Sequence, residues 1–182
     1  MSRRAAALAG AALALVAGGS AAAEGLGACI WGKLTGPERT RVLGAYGRDM
    51  GAGAAALEKL DAKVRAGAAA CAGRGDIPAG WTQTLAGSEA VQIHAASVIG
   101  TDRARLDALW KAAPANVTAC VRANGRLAFS PNAVGCADPA ATQWVLNHVG
   151  VRRGQPGAAQ AIFYFNAKAI AEWGDALTAK LK

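Results

Sequence analysis

The chain has only two imidazoles available for acid–base or metal chemistry, His94 and His148. His94 falls three residues after Val91 and four before Val98; His148 falls four after Trp144 and three after Val145. Each therefore stands beside the apolar face of a helix, where a histidine ordinarily closes a hydrogen bond in the core. Brought together by their helices, the two would bind a metal or a small anionic ligand, but no third ligand accompanies them in the sequence. A Ser or Cys nucleophile with a histidine and an orienting carboxylate is not announced either, because no serine lies in G-x-S-x-G or S-x-x-K. Hydrolysis by two carboxylates needs no local motif, since its partners come from distant parts of the chain. Here Glu38, Asp49, Glu58, Asp61, Asp102, Asp107, Glu172 and Asp175 read as helix-surface and cap residues, and no pair stands out.

Two further polar positions draw attention. Asn166 interrupts a C-terminal apolar stripe, four residues after Ile162 and three before Ala169. It reads as a buried packing group, with one wall of a polar pocket shared with Tyr164 as the alternative. The glycine-rich "MGAGAAALEKL" lacks the G-K-[ST] of a phosphate loop and follows a helix, so it reads as a helix start. Arg74-Gly75-Asp76 is turn chemistry, and the glycosylation-like Asn116-Val117-Thr118 falls on a helix.

The four cysteines are Cys29, Cys71, Cys120 and Cys136. None of the spacings is C-x-x-C, C-x-x-C-H or a zinc pattern, so structural disulfides are the expectation. Of the three pairings, Cys29–Cys71 and Cys120–Cys136 are preferred. The second closes a short loop and the first ties the N-terminal segment to a helix.

That assignment bears on the opening residues. Arg3 and Arg4, an apolar run from Ala5 to Val16 and a small-residue tract ending at Ala23 have the form of a Sec-type secretory signal, cleaved after Ala23. The competing lipoprotein box "LGAC" stands away from the apolar run, with Glu24 close before it, and lipidating Cys29 would leave an odd thiol. The abundance of Ala, Gly and Arg beside such a leader suits a bacterial chain from a GC-rich genome, and hence a periplasmic or secreted protein. The apolar run is too short to span a bilayer, and no later segment spans one. The formal charge of +8 includes Arg3 and Arg4, and the remaining cations are dispersed. This pattern argues against nucleic-acid binding and allows at most a weak association with anionic envelope surfaces.

The elements that must position these groups are helical throughout. Thr35 and Glu38 form a capping box for a helix bearing Val42, Leu43 and Tyr46. Leu57, Leu60, Val64, Ala68 and Cys71 make a stripe for the next. A helix from about Trp81 to Ile99 puts Val91, Ala95, Val98 and Ile99 on one side. Thr101 or Asp102 caps the next, Pro114 starts one carrying Val117, Cys120, Val121 and Leu127, and Asp138-Pro139 opens the helix bearing His148. Pro156 opens the longest. The five tryptophans read as one core anchor per helix. Residues 24–182 thus form a single compact all-α domain of about six to seven helices, stapled by two disulfides. The leading functional expectation is a non-catalytic protein that binds a protein partner or a small ligand. The alternatives are a small, hydrolase-like cell-envelope enzyme using His94, His148 or dispersed carboxylates, and a metal or cofactor carrier. No cofactor is called for by any motif.

Overall fold

The computed structural model describes residues 25–73, 76–130 and 132–181. The leader with its Ala23 cleavage site therefore lies outside the described residues, as do Arg74 and Gly75. The described residues hold nine helices and no strand: α1 (Leu26–Lys33), α2 (Gly36–Tyr46), α3 (Met50–Glu58), α4 (Asp61–Ala72), α5 (Ala79–Ile99), α6 (Arg103–Ala112), α7 (Ala115–Arg126), α8 (Pro139–Val149) and α9 (Pro156–Thr178). None of them is long and apolar enough to cross a membrane.

Most starts obey local chemistry. The Thr35–Glu38 capping box is formed, and Lys63 of α4 pairs with the same Glu38 carboxylate, which Lys63 and then Thr35 hold at a pKa of about 2. Asp49, Asp102 and Asp138 accept from the first-turn amides of α3, α6 and α8. Glycines in the left-handed region, Gly73, Gly100 and Gly150, end α4, α5 and α8.

The count exceeds the expectation for two reasons. The 57–71 stripe belongs to two helices, because the chain turns at Lys59-Leu60, where Leu60 leaves the helical region at φ −104°, ψ 12°. Leu57, Val64 and Ala68 still face one core, with Leu60 and Cys71 packed against it, so burial followed the stripe while the break did not. The second addition is α1, whose N-cap Gly25 has no side chain to offer. Its cap comes from the far end of the chain: the Leu26 amide donates to Asp175 Oδ1 at 2.9 Å.

Helix α5 is the axis of the fold, packing against α1, α2, α3, α4, α6 and α9. Its N-terminal half carries Leu85, Ala86 and Ala90 into a core with Ile30, Val42 and Val64; its C-terminal half carries Ala95 and Ala96 into a second, with Leu106, Val145 and Phe165. Two expected stripe residues are corrected: Val98 and Leu127 are exposed. Val98 lies in the last turn of α5 and Leu127 at the C-cap of α7, where no neighbour covers them. Of the tryptophans Trp31 and Trp110 are buried, Trp81 and Trp144 are half-buried but packed against the cores, and Trp173 is half-buried outside both, so the anchor expectation fails for Trp173.

Both preferred disulfides are present: Cys29–Cys71 joins α1 to α4, and Cys120–Cys136 joins α7 to the segment before α8. No free cysteine remains among the described residues. A sulfur engaged with Cys71 is not available for lipidation. The loops closed span 42 and 16 residues. Loop-closure entropy then predicts that Cys29→Ser with Cys71→Ser costs about 4 kcal/mol and Cys120→Ser with Cys136→Ser about 3 kcal/mol, a ranking to be read from urea midpoints.

Candidate functional site

The buried face of α5 is not wholly apolar. Glu89 follows Leu85 by four residues and Gln92 follows Glu89 by three, so helical spacing turns both inward, to 7% and 2% exposure. A buried carboxylate requires a partner. Arg103, the first residue of α6, supplies it through Nη1 and Nη2, at 2.5 and 3.1 Å from the two Glu89 oxygens, with Nη2 also 3.5 Å from Gln92 Oε1. Burial works against the Arg103 charge, and Glu89 more than offsets it, so the guanidinium is held above its ordinary pKa.

Helix α9 lines up a second polar row, Tyr164, Lys168, Glu172 and Asp175, spaced so that all four share one face. The Tyr164 hydroxyl donates to Asp107 Oδ1 at 3.0 Å, and Lys168 pairs with the same oxygen at 2.8 Å. Burial, reinforced by Asp107, pushes the Tyr164 hydroxyl far above its ordinary range, so it remains a donor. Glu172 accepts from Trp110 Nε1 at 2.5 Å and from Arg122 at 3.2 Å. Asp175 caps α1. Burial raises its pKa above the ordinary 3.8, against the opposing pull of the Leu26 amide and Lys168.

Apart from the fully buried Tyr164, these rows line an open cleft of about 660 Å³ walled by α1, α2, α5, α6 and α9. Every carboxylate on it is engaged: Glu89 by Arg103, Asp107 by Lys168, Glu172 by Arg122 and Asp175 by Leu26. The donors are not. Arg39 is half-buried on the cleft wall with no ion pair or side-chain hydrogen bond among the described residues. Trp31, 5% exposed, has an indole N–H without an acceptor, and Arg103 Nε is buried without one. The arrangement thus offers spare N–H groups and no spare carboxylate, which suits an acceptor-rich ligand.

None of the two histidines named from sequence lies on this cleft. His94 is half-buried, its ring 6.4 Å from that of Tyr46. His148 is exposed rather than a core residue; its Nδ1 lies 2.9 Å from the Trp144 carbonyl oxygen and its ring stacks on Trp144 at 4.0 Å. No contact joins the two. Tyr164 and Asn166 also part company, because positions two apart on a helix face different ways. Tyr164 turns to α6, whereas Asn166 lines a cavity of about 40 Å³ with Asn124, Thr142 and the Cys120–Cys136 bridge. Among the described residues no group of three or more His, Cys, Asp or Glu is placed to hold a metal. Glu89, Gln92, Arg39 and Trp31 were missed from sequence. The signal for the first two was present, since both fall on the Leu85–Ala96 spacing.

The fold and cleft define an all-α, two-disulfide domain with a polar ligand-sized groove between its helices. No protein-family model, curated protein or solved structure matches the chain.

Two outcomes follow from the charges. Glu89→Gln strands Arg103, but the guanidinium side chain keeps 37% of its surface in water. The loss is therefore about 2 kcal/mol rather than that of a fully buried pair, and Glu89→Leu with Arg103→Met recovers most of it, both measured by chemical denaturation. For Asp175 the native pKa is raised, so its ionisation opposes folding. The penalty is absent below the unfolded value and grows as pH rises through the native one. Asp175→Asn, which keeps an oxygen for the Leu26 amide, is then at least as stable as the parent at pH 7 and loses that advantage below about pH 4. Asp175→Ala instead loses the cap, at about 1 kcal/mol. Urea midpoints across pH check both.

Proposed function

We propose that the protein is a non-catalytic, periplasmic or secreted helical binding protein whose cleft takes a small carboxylate-bearing ligand. The observation that carries this reading is Arg39, half-buried on the cleft that Trp31 also lines and whose carboxylates are all engaged. A half-buried guanidinium gives up water, and a ligand carboxylate restores what it loses through paired, charge-assisted hydrogen bonds. The Trp31 indole N–H adds a neutral donor on the same cleft. Two disulfides suit an oxidising compartment, which supports placing the mature chain outside the cytoplasm.

A hydrolase of the cell envelope is the second reading. It is favoured by four carboxylates on one cleft, Glu89, Asp107, Glu172 and Asp175, one of which has a raised pKa. Their existing partners already explain each of them, and neither histidine is near to serve as base. A metal or cofactor carrier draws no support from the described residues.

Benzoate, followed through the Trp31 indole N–H resonance, is the direct probe. Saturable shifts at Trp31 are expected, with Arg39→Gln weakening binding at least about tenfold, the equivalent of one lost charge-assisted bond. Unchanged affinity in Arg39→Gln, or no response to benzoate, acetate or citrate, removes the carboxylate reading. Turnover of an ester or glycoside that is lost in Glu172→Gln establishes the enzyme instead.

A further inference from the structure

A second groove runs between α3 and α5, separate from the cleft and with different chemistry. Its walls are small: Gly51, Ala54 and Ala55 on α3, and Gly87 on α5. It is an open groove of about 520 Å³. Small residues alone make only a smooth channel, but the floor of this one is Tyr46. That side chain is 6% exposed, and its hydroxyl has no hydrogen-bond partner among the described residues. The hydroxyl points at the groove wall: a Cβ placed on Gly87 would lie 3.4 Å from it. The hydroxyl oxygen is open to the groove rather than sealed in the core, so a ligand oxygen there supplies the acceptor that no described residue gives it.

The other polar groups of the groove are engaged or peripheral. Gln83 donates to Asp61 Oδ1 at 3.0 Å and Thr84 to the Gly80 carbonyl at 2.8 Å. Glu58 is exposed at the edge, and no cation lines the groove. Burial raises the Tyr46 pKa, so the group is an uncharged O–H donor. We propose that this groove binds a small uncharged molecule with an apolar body and one hydroxyl or carbonyl oxygen, which accepts from Tyr46. The small residues let a slim apolar body lie against the helix backbones, Leu57 extends the apolar floor, and the Glu58 carboxylate disfavours anions. This site does not depend on the carboxylate cleft, since the two share no residue.

Three molecules with one tail and different heads separate the possibilities: 1-hexanol, hexanoate and hexylamine, titrated into the full protein with amide shifts read at Gly51, Ala54 and Gly87. The expected result is saturable millimolar binding of 1-hexanol, in keeping with so few atoms, and markedly weaker binding of hexanoate and hexylamine. Tyr46→Phe keeps the ring and weakens 1-hexanol at least about fivefold, the effect of losing one neutral hydrogen bond. Gly87→Ala is the independent check. Its added methyl makes ordinary contact with the Tyr46 hydroxyl and with Leu57, removes a glycine from a helix interior, and so blocks the groove without unfolding the chain. Binding of 1-hexanol that survives both substitutions, equal or tighter binding of hexanoate or hexylamine, or no shift with 1-hexanol overturns the proposal.

Discussion

Helix α5 is packed by neighbours on several sides through its middle turns, and the nearness of α1 and α9 to it sets the rest of the structure. A Cβ on Gly27 of α1 would lie 2.6 Å from the Leu85 carbonyl oxygen, and one on Gly174 of α9 would lie 2.5 Å from the Leu85 side chain. The Gly27 position admits no side chain, and the Gly174 position admits one only by displacing the Leu85 and Phe129 side chains, so the two terminal helices close on the same turn of α5. That approach brings Asp175 to the first amide of α1 and makes a helix of a segment with no cap of its own. It also explains why the periodic signal of α5 is weak in sequence: a helix covered on several sides needs no single apolar stripe.

Enclosure has an electrostatic consequence. Once α5 is surrounded, Glu89 and Gln92 must be satisfied from within, and Arg103 at the start of α6 is the group that reaches them. Asp107 and Lys168 repeat the arrangement one turn further, with Tyr164 between. The fold thus consumes its carboxylates to hold α5, α6 and α9 in register, and leaves Arg39 and the Trp31 indole N–H on the cleft without acceptors among the described residues. The same buried charges that hold the helices together also set the polarity of the cleft wall.

The disulfides act at the margins of this assembly. Cys29–Cys71 ties the short helix α1 to α4, while Cys120–Cys136 fastens the long connection between α7 and α8, where Asn124 also accepts from the Cys136 amide. Each bridge restrains an element that makes few local interactions of its own. The two cores, one on each half of α5, carry the burial.

Local chemistry was legible in the sequence wherever it acts over a few residues. The capping box at Thr35, the cap at Asp138 and the helix start at Pro156 follow from residue type and spacing, because those interactions are short-range; the α6 cap was narrowed to Thr101 or Asp102 and the disulfides to a preference among three pairings, and the structure decided both. The all-α class followed from periodicity for the same reason. Helix α1, the turn at Leu60, the exposure of His148 and the separation of Tyr164 from Asn166 were decided only by the tertiary structure. So was the cleft, which draws Arg39 from α2, Glu89 from α5, Arg103 from α6 and Glu172 from α9. Spacing reports which face of a helix a residue occupies; it carries no information about which other helix lies opposite, and a site made between helices exists only once that is settled.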